Sequence, residues 1–169
     1  ISLRLVGSEM CIRDSTSSSI TAQLDVEPGQ KENGVIFSQG GRFGGWSLYV
    51  ENNVPAYTYN YMGKLYTFTS NQPLPVGQSQ LRFEIDYGGG VGKGADVRMK
   101  INDQVVALGR IDQTIASRFS IDEGADVGLD RGSAVTVKTI GPRRYSAYGG
   151  QIDKVTLEIY PKETDAKKS

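Results

Sequence analysis

The 169-residue sequence has no histidine and a single cysteine, and none of its apolar runs approaches the roughly 20 residues that a membrane helix needs. Without histidine there is no imidazole base, no His-assisted nucleophile and little material for a zinc or iron site. Charge of one sign is missing too. Lys+Arg and Asp+Glu each total 19, so the formal net charge is zero and the long-range field that gathers phosphates or anionic lipids is absent. Nucleic-acid and membrane partners are therefore not expected. What the chain does have is 38% apolar residues, nine Tyr, five Phe, one Trp and 21 Gly, enough for one ordinary core with many turns.

The lone cysteine, Cys11, lies in a stretch that does not read like the rest. Leu5 to Ser15, Leu-Val-Gly-Ser-Glu-Met-Cys-Ile-Arg-Asp-Ser, resembles one reading frame of a transposon-end sequencing adapter. Residues 1–15 are on this reading foreign to the fold, expected to be disordered or packed without purpose, and the natural start lies upstream of Thr16. The genuine segment then holds no thiol, so disulfides, thiolate nucleophiles and Cys metal sites drop out, and redox compartment cannot be read.

From residue 16 onward no window sustains a 3.6-residue apolar period. Short alternations of apolar and polar residues recur instead between Gly, Pro, Asn and Asp clusters. Strands are expected at Ser19–Val26, Gly34–Gln39, Trp46–Glu51, Ala56–Asn60, Leu65–Ser70, Gln78–Tyr87, Asp96–Ile101, Gln104–Arg110, Arg118–Ile121 and Gln151–Tyr160. Asn52-Asn53 and Asn102-Asp103 tolerate left-handed backbone and predict tight hairpins. The run Gly88 to Gly94 includes a Gly-Lys pair, but Tyr87 and Gly94 stand where a phosphate loop needs Gly and Ser or Thr, so it reads as a hairpin tip. The expected fold class is all-β, a two-sheet antiparallel sandwich of jelly-roll or concanavalin-like type spanning residues 16–160, followed by a polar Lys-rich tail, 161–169.

Three groups of residues could carry chemistry. Tyr57, Tyr59 and Tyr61 alternate, so on a strand they share a face that either stacks sugar rings or packs as core or domain interface; rows of this kind are more often packing. Asp122, Glu123, Asp126 and Asp130 are oxygen-rich, but their spacing is not that of a helix-loop-helix calcium loop, and carboxylates in Gly-rich loops commonly hold turns. A glycosidase pair drawn from them lacks a recognisable cleft. Arg143-Arg144, ahead of Tyr145 and Tyr148, could meet an anion through planar donor forks or simply sit in a solvated loop.

One set of blocks is less generic. It begins with Gln39-Gly-Gly-Arg-Phe-Gly-Gly-Trp46-Ser-Leu-Tyr-Val50 and continues through Tyr57 to Gly63, Pro73 to Gly77, Leu81 to Tyr87, Gly92 to Gly94, Phe119 to Glu123, Asp126 to Asp130 and Ile152 to Glu158. In order and approximate spacing the chain resembles the C-terminal β-sandwich domain of long bacterial arylsulfatases. Gly124-Ala125 and Gly141 to Tyr148 depart from that pattern. The resemblance implies a parent enzyme, periplasmic or secreted, that hydrolyses sulfate esters with calcium and a formylglycine made from the Cys of a Cys-x-Pro-Ser-Arg motif.

That motif is absent here, since Cys11 is followed by Ile-Arg-Asp-Ser. No catalytic, cofactor or metal residue carries over, and no turnover is expected of the chain alone. The partner implied is the catalytic sulfatase domain of the same parent chain, with Tyr57, Tyr59 and Tyr61 as candidate interface. The alternative is a carbohydrate-binding jelly-roll module using the same tyrosines on a glycan.

Overall fold

The computed structural model describes residues 2–6, 17–41, 44–88, 93–114, 125–127 and 148–160. Eleven strands are present among them: β1 (Ser2–Val6), β2 (Ser18–Val26), β3 (Gly34–Gly41), β4 (Gly44–Glu51), β5 (Val54–Tyr61), β6 (Lys64–Thr69), β7 (Gly77–Asp86), β8 (Ala95–Ile101), β9 (Gln104–Ile111), β10 (Ala125–Val127) and β11 (Gln151–Ile159). They form a six-stranded sheet, β1-β11-β2-β7-β8-β9, and a five-stranded sheet, β10-β3-β4-β5-β6. All pairs are antiparallel except β1 with β11, and no described residue is helical. The all-β, two-sheet sandwich expected from the alternation is the fold found.

The six-stranded sheet follows the period-two rule for a sheet with one wet face. Ile20, Ala22, Leu24 and Val26 of β2, Leu81, Phe83 and Ile85 of β7, and Val97, Met99 and Ile101 of β8 enter the core, while Arg82, Glu84, Arg98 and Lys100 fall between them. The five-stranded sheet does not alternate in this way. In β4 and β5 the run from Gly45 to Val50 and the run from Pro55 to Asn60 are buried on both faces. Trp46, Leu48, Val50, Tyr57 and Tyr59 belong to the intersheet core, and Val35, Tyr49 and Ala56 form a second, smaller cluster on the other face. There the Tyr49 hydroxyl lies 3.2 Å from Thr58 Oγ1, which lies 3.0 Å from Thr67 Oγ1, so buried polar atoms find one another across the strands.

Aromatic stacking ties the two sheets together. Trp46 stacks on Tyr57 at 6.0 Å, and Tyr57 stacks on Phe83 of the opposite sheet at 3.7 Å with an interplanar angle of 15°. At the side of the sandwich β6 approaches β9, where a Cβ on Gly109 would collide with the Phe68 ring. Glycine is required at that seam by space alone.

Both predicted hairpin turns are left-handed at their two central residues: φ is 52° and 66° at Asn52 and Asn53, and 48° and 67° at Asn102 and Asp103. A third such turn, with φ of 47° at Met62 and 95° at Gly63, joins β5 to β6. Methionine rarely takes that conformation, which is why only Gly63 hints at the turn in the sequence.

Three expectations need correction or fall outside the description. Ser2–Val6, in the segment expected to be disordered or packed without purpose, is ordered as a strand paired with Lys154–Glu158 of β11. An open edge of unpaired backbone groups accepts any extended segment that can reach it, so side-chain pattern gives no warning of this. Ala125–Val127, expected in a loop, pairs with Phe37–Gln39 of β3. The strand expected at Arg118–Ile121 and the tip residues Gly89 to Gly92 lie outside the described residues, although β7 and β8 flank that tip as an antiparallel pair.

Candidate functional site

The tyrosine row is real as a row and not available as a platform. Tyr57 is 0% and Tyr59 1% exposed, both inside the core, while the half-buried Tyr61 packs against it at the strand end. Neither a sugar nor a partner domain can reach Tyr57 or Tyr59, because the face they share is the one that meets the other sheet. Burial pushes the Tyr57 hydroxyl pKa well above its ordinary value of 10.0, the nearby Tyr87 and Tyr59 adding to the shift. Among the described residues the Tyr57 hydroxyl has no hydrogen-bond partner. Asp122, Glu123, Asp130, Arg143, Arg144 and Tyr145 lie outside the described residues; Asp126 sits in β10, opposite Ser38.

A different site is assembled at one end of the sandwich, where β2 ends and β7 and β11 begin. The chain leaving β2 turns at Glu27-Pro28-Gly29-Gln30, with Gln30 N donating to the Glu27 carbonyl at 3.3 Å and Gly29 at φ 79°. Proline followed by a left-handed glycine is the signature of a type II turn. The next residues are held by the tip of the β4–β5 hairpin. Asn53 Oδ1 accepts from Glu32 N at 2.6 Å, Asn53 Nδ2 donates to the Gln30 carbonyl at 2.8 Å, and Asn53 N donates to the Glu32 carbonyl at 3.0 Å. Asn33 answers from the other side: its Oδ1 accepts from Asn52 N at 2.8 Å, and its Nδ2 donates to the Lys31 carbonyl at 3.0 Å. Gly149 N then donates to the Asn33 carbonyl at 3.0 Å and joins the approach to β11 to the same loop.

This clasp encloses a cleft of about 770 Å³ lined by Asp25, Glu27, Gln30, Lys31, Glu32, Asn33, Gly149, Gly150 and Gln151, with Val26, Pro28, Val76 and Gly77 as its apolar and turn elements. Glu32 is the unusual member. It is 6% exposed, and no described residue gives its carboxylate a hydrogen bond or an ion pair. Its Oε2 lies against Gly149, where an added Cβ would stand 3.1 Å away. Close by, Tyr148 is 8% exposed, and its hydroxyl too has no partner among the described residues. Burial, then the proximity of Glu32, pushes the Tyr148 hydroxyl pKa up to about 12. Among the described residues neither the Tyr148 hydroxyl nor the Glu32 carboxylate has a hydrogen-bond partner; of the two only the hydroxyl is sealed from solvent, and the carboxylate, in the cleft lining, is open to a donor entering from the cleft. Among the described residues no three His, Cys, Asp or Glu side chains are grouped to hold a metal ion.

A second hollow, about 670 Å³, lies on the outer face of the six-stranded sheet beside Arg98, Asp86, Asp96, Leu108 and Tyr160. Its neighbouring charges are already spoken for. Arg82 Nε donates to Glu84 at 2.9 Å and Arg82 Nη2 to the Tyr160 hydroxyl at 2.9 Å, Tyr160 donates to Glu158 at 2.9 Å, and Lys100 Nζ sits 3.2 Å from Glu84. Burial alone would raise the Glu84 pKa, but hydrogen bonds from Arg82 and Lys100 override it and hold that carboxyl below its ordinary range. Satisfied in this way, the face has less to gain from a ligand than the cleft at Glu32.

Sequence reading passed over Glu32 because a glutamate in Gln-Lys-Glu-Asn-Gly looks like solvated loop. Only the reach of Asn53, 21 residues away along the chain, turns it inward. Pro28-Gly29 is a local signal for the turn that precedes Glu32, and nothing local signals the burial.

No family model matches the chain, and no curated protein does. Solved structures do. The CBM40 module of the IT-sialidase from Ruminococcus gnavus superposes with a TM-score of 0.53 at 14% identity, over 88% of this chain and 78% of that one. The leech intramolecular trans-sialidase, complexed with 2,7-anhydro-Neu5Ac, gives a TM-score of 0.56 at 15% identity over 88% of this chain, which spans only 22% of that enzyme. Domains LG4-5 of the mouse laminin alpha1 chain give 0.53 at 11% identity, over 86% of this chain and 38% of that one. Identities this low establish the shared architecture, and the chain has the jelly-roll, concanavalin-like sandwich of carbohydrate-binding and laminin G-like domains.

Proposed function

We propose that the chain is a glycan-binding β-sandwich module whose binding site is the cleft between the 27–33 loop and the 149–151 approach to β11. The observation that carries this is the Glu32 carboxylate, buried in the cleft wall and unpartnered among the described residues. A carboxylate can accept several hydrogen bonds, and in the cleft lining this one is placed to accept them from a ligand. A pyranose supplies vicinal hydroxyl donors in a fixed geometry, and the Gln30 amide offers a further contact along the same cleft. Likeness in fold to a sialidase-associated carbohydrate-binding module supports the reading.

Titration calorimetry against a panel of oligosaccharides tests it. The unaltered chain should show saturable binding to at least one glycan, and Gly149→Ala should weaken that binding by about tenfold, because its Cβ crowds the Glu32 carboxylate while Ala fits the backbone there. A panel without any binder would rule the module out.

The second reading, a sandwich that packs on a sulfatase catalytic domain, is favoured by the sequence blocks on β3 to β5, β7 and β11. Calcium and formylglycine would then belong to that catalytic domain. Association of the chain with a separately expressed sulfatase domain, with no glycan bound, would support it.

A further inference from the structure

In two sheets that are otherwise antiparallel, β1 lies parallel to β11. Val6 stands opposite Glu158, and Ser18, where β2 begins, stands opposite Ile159 on the other side of β11. The two ends are thus two strand spacings apart, about 10 Å, while the eleven residues 7–17 that join them can span roughly 36–40 Å. A connection with that much slack dictates neither direction nor register. The edge of β11 does the selecting.

That edge is regular where β1 takes it. The pairing of β11 with β2 shifts register between Ile152 and Lys154, and the residues that follow, Lys154 to Glu158, carry an unbroken register to β1. Val155 and Leu157 are buried in the core, and Leu3 and Leu5 are their register partners; the half-buried Lys154 and Thr156 are matched by Ser2 and Arg4. The apolar positions of the added strand therefore fall in step with those of the acceptor.

We infer that the β11 edge is a strand-acceptor site for a polypeptide partner: an extended segment with apolar residues at every second position adds parallel to Lys154–Glu158, in the place that β1 takes in this chain. Strand addition draws its affinity from main-chain hydrogen bonds and its selectivity from alternate side chains. In the unaltered chain the tether gives β1 the advantage, because a linked segment acts at a high effective concentration. Weakening β1 opens the site to a partner. The acceptor residues lie beyond Gln151, where β11 meets the cleft, so the inference stands or falls apart from the glycan reading.

The test uses the full chain carrying Arg4→Pro together with Leu5→Pro. Backbone donors alternate between the two edges of a strand, so one of two adjacent prolines removes a ladder hydrogen bond whichever way β1 is phased. A labelled peptide Ser-Leu-Arg-Leu-Val, capped at both ends, should bind this variant saturably in fluorescence anisotropy, about tenfold or more tighter than it binds the unaltered chain. Serine in place of both peptide leucines should weaken binding about tenfold, and Pro-Pro in place of its Arg-Leu should abolish it. Added peptide should slow amide hydrogen exchange at Lys154 to Glu158, and a spin label on its N-terminus should broaden signals near Lys154 rather than Glu158. Leu3→Asn together with Leu5→Asn frees the edge without proline and should give the same uptake. Absence of binding to natively folded variants, protection elsewhere in the chain, an antiparallel docking or equal uptake of the serine peptide overturns the inference. So does dimerisation that shuts the peptide out, since the edge then takes a second copy, and so does unfolding of both variants, which would make β1 indispensable to the sandwich.

Discussion

Tyr57 concentrates what a single side chain contributes to this fold. Its ring bridges the sheets between Trp46 and Phe83, but its hydroxyl is sealed in without a partner among the described residues. A buried unsatisfied hydroxyl costs about 1–3 kcal/mol, so Tyr57→Phe should keep the stack and leave stability equal or about 1 kcal/mol higher in urea denaturation. A marked loss would mean that the hydroxyl makes a hydrogen bond after all. Aromatic periodicity correctly placed the tyrosines on one face; it could not say which face, because a period of two is the same for core and platform. Glu32 shows the converse limit, since its burial depends on an asparagine far away in sequence.

At the level of elements, the β4–β5 hairpin does two jobs with the same two residues. Asn52 and Asn53 adopt the left-handed pair that the turn needs, and Asn53 also spans the gap to the 30–33 loop with both atoms of its amide. The turn was legible from Asn-Asn alone, whereas the clasp was not, because it joins loops from different parts of the chain. Asn53→Ala removes two side-chain hydrogen bonds, each worth about 1 kcal/mol, and strains a left-handed position. Stability should fall by about 2 kcal/mol, lowering Tm by about 4–8 °C. Glycan affinity should fall with it, as the loop carrying Glu32 loses its anchor. The strands β2, β7 and β8 were readable because one face is wet; β4 and β5, buried on both faces, were readable mainly from their flanking turns. On the wet face Glu84 binds fewer protons folded than unfolded, so its stabilising contribution is present above the ordinary carboxylate pKa and is lost as pH falls through its lowered value. The advantage of the unaltered chain over Glu84→Gln in urea should therefore be larger at about pH 7 than at about pH 3. An equal advantage at both would contradict the pairing with Arg82 and Lys100.

Across the whole molecule, strand β11 is the axis that relates the site to the rest. Gln151, its first residue, lines the cleft, and Ile159, its last, lies eight residues on, about 26 Å away at about 3.3 Å per residue. Beside it β1 runs in the same direction, Ser2 next to Lys154 and Val6 next to Glu158. A handle attached after Ile159 therefore starts from the end of β11 opposite the cleft. On a chip, a bead or a cell wall, the molecule held by that handle would present its mouth outward, as an antenna does. Captured through a C-terminal biotin, the chain should take up dissolved oligosaccharide with the same affinity and full capacity that it shows free in solution; a large loss on capture would place the mouth at the tethered pole.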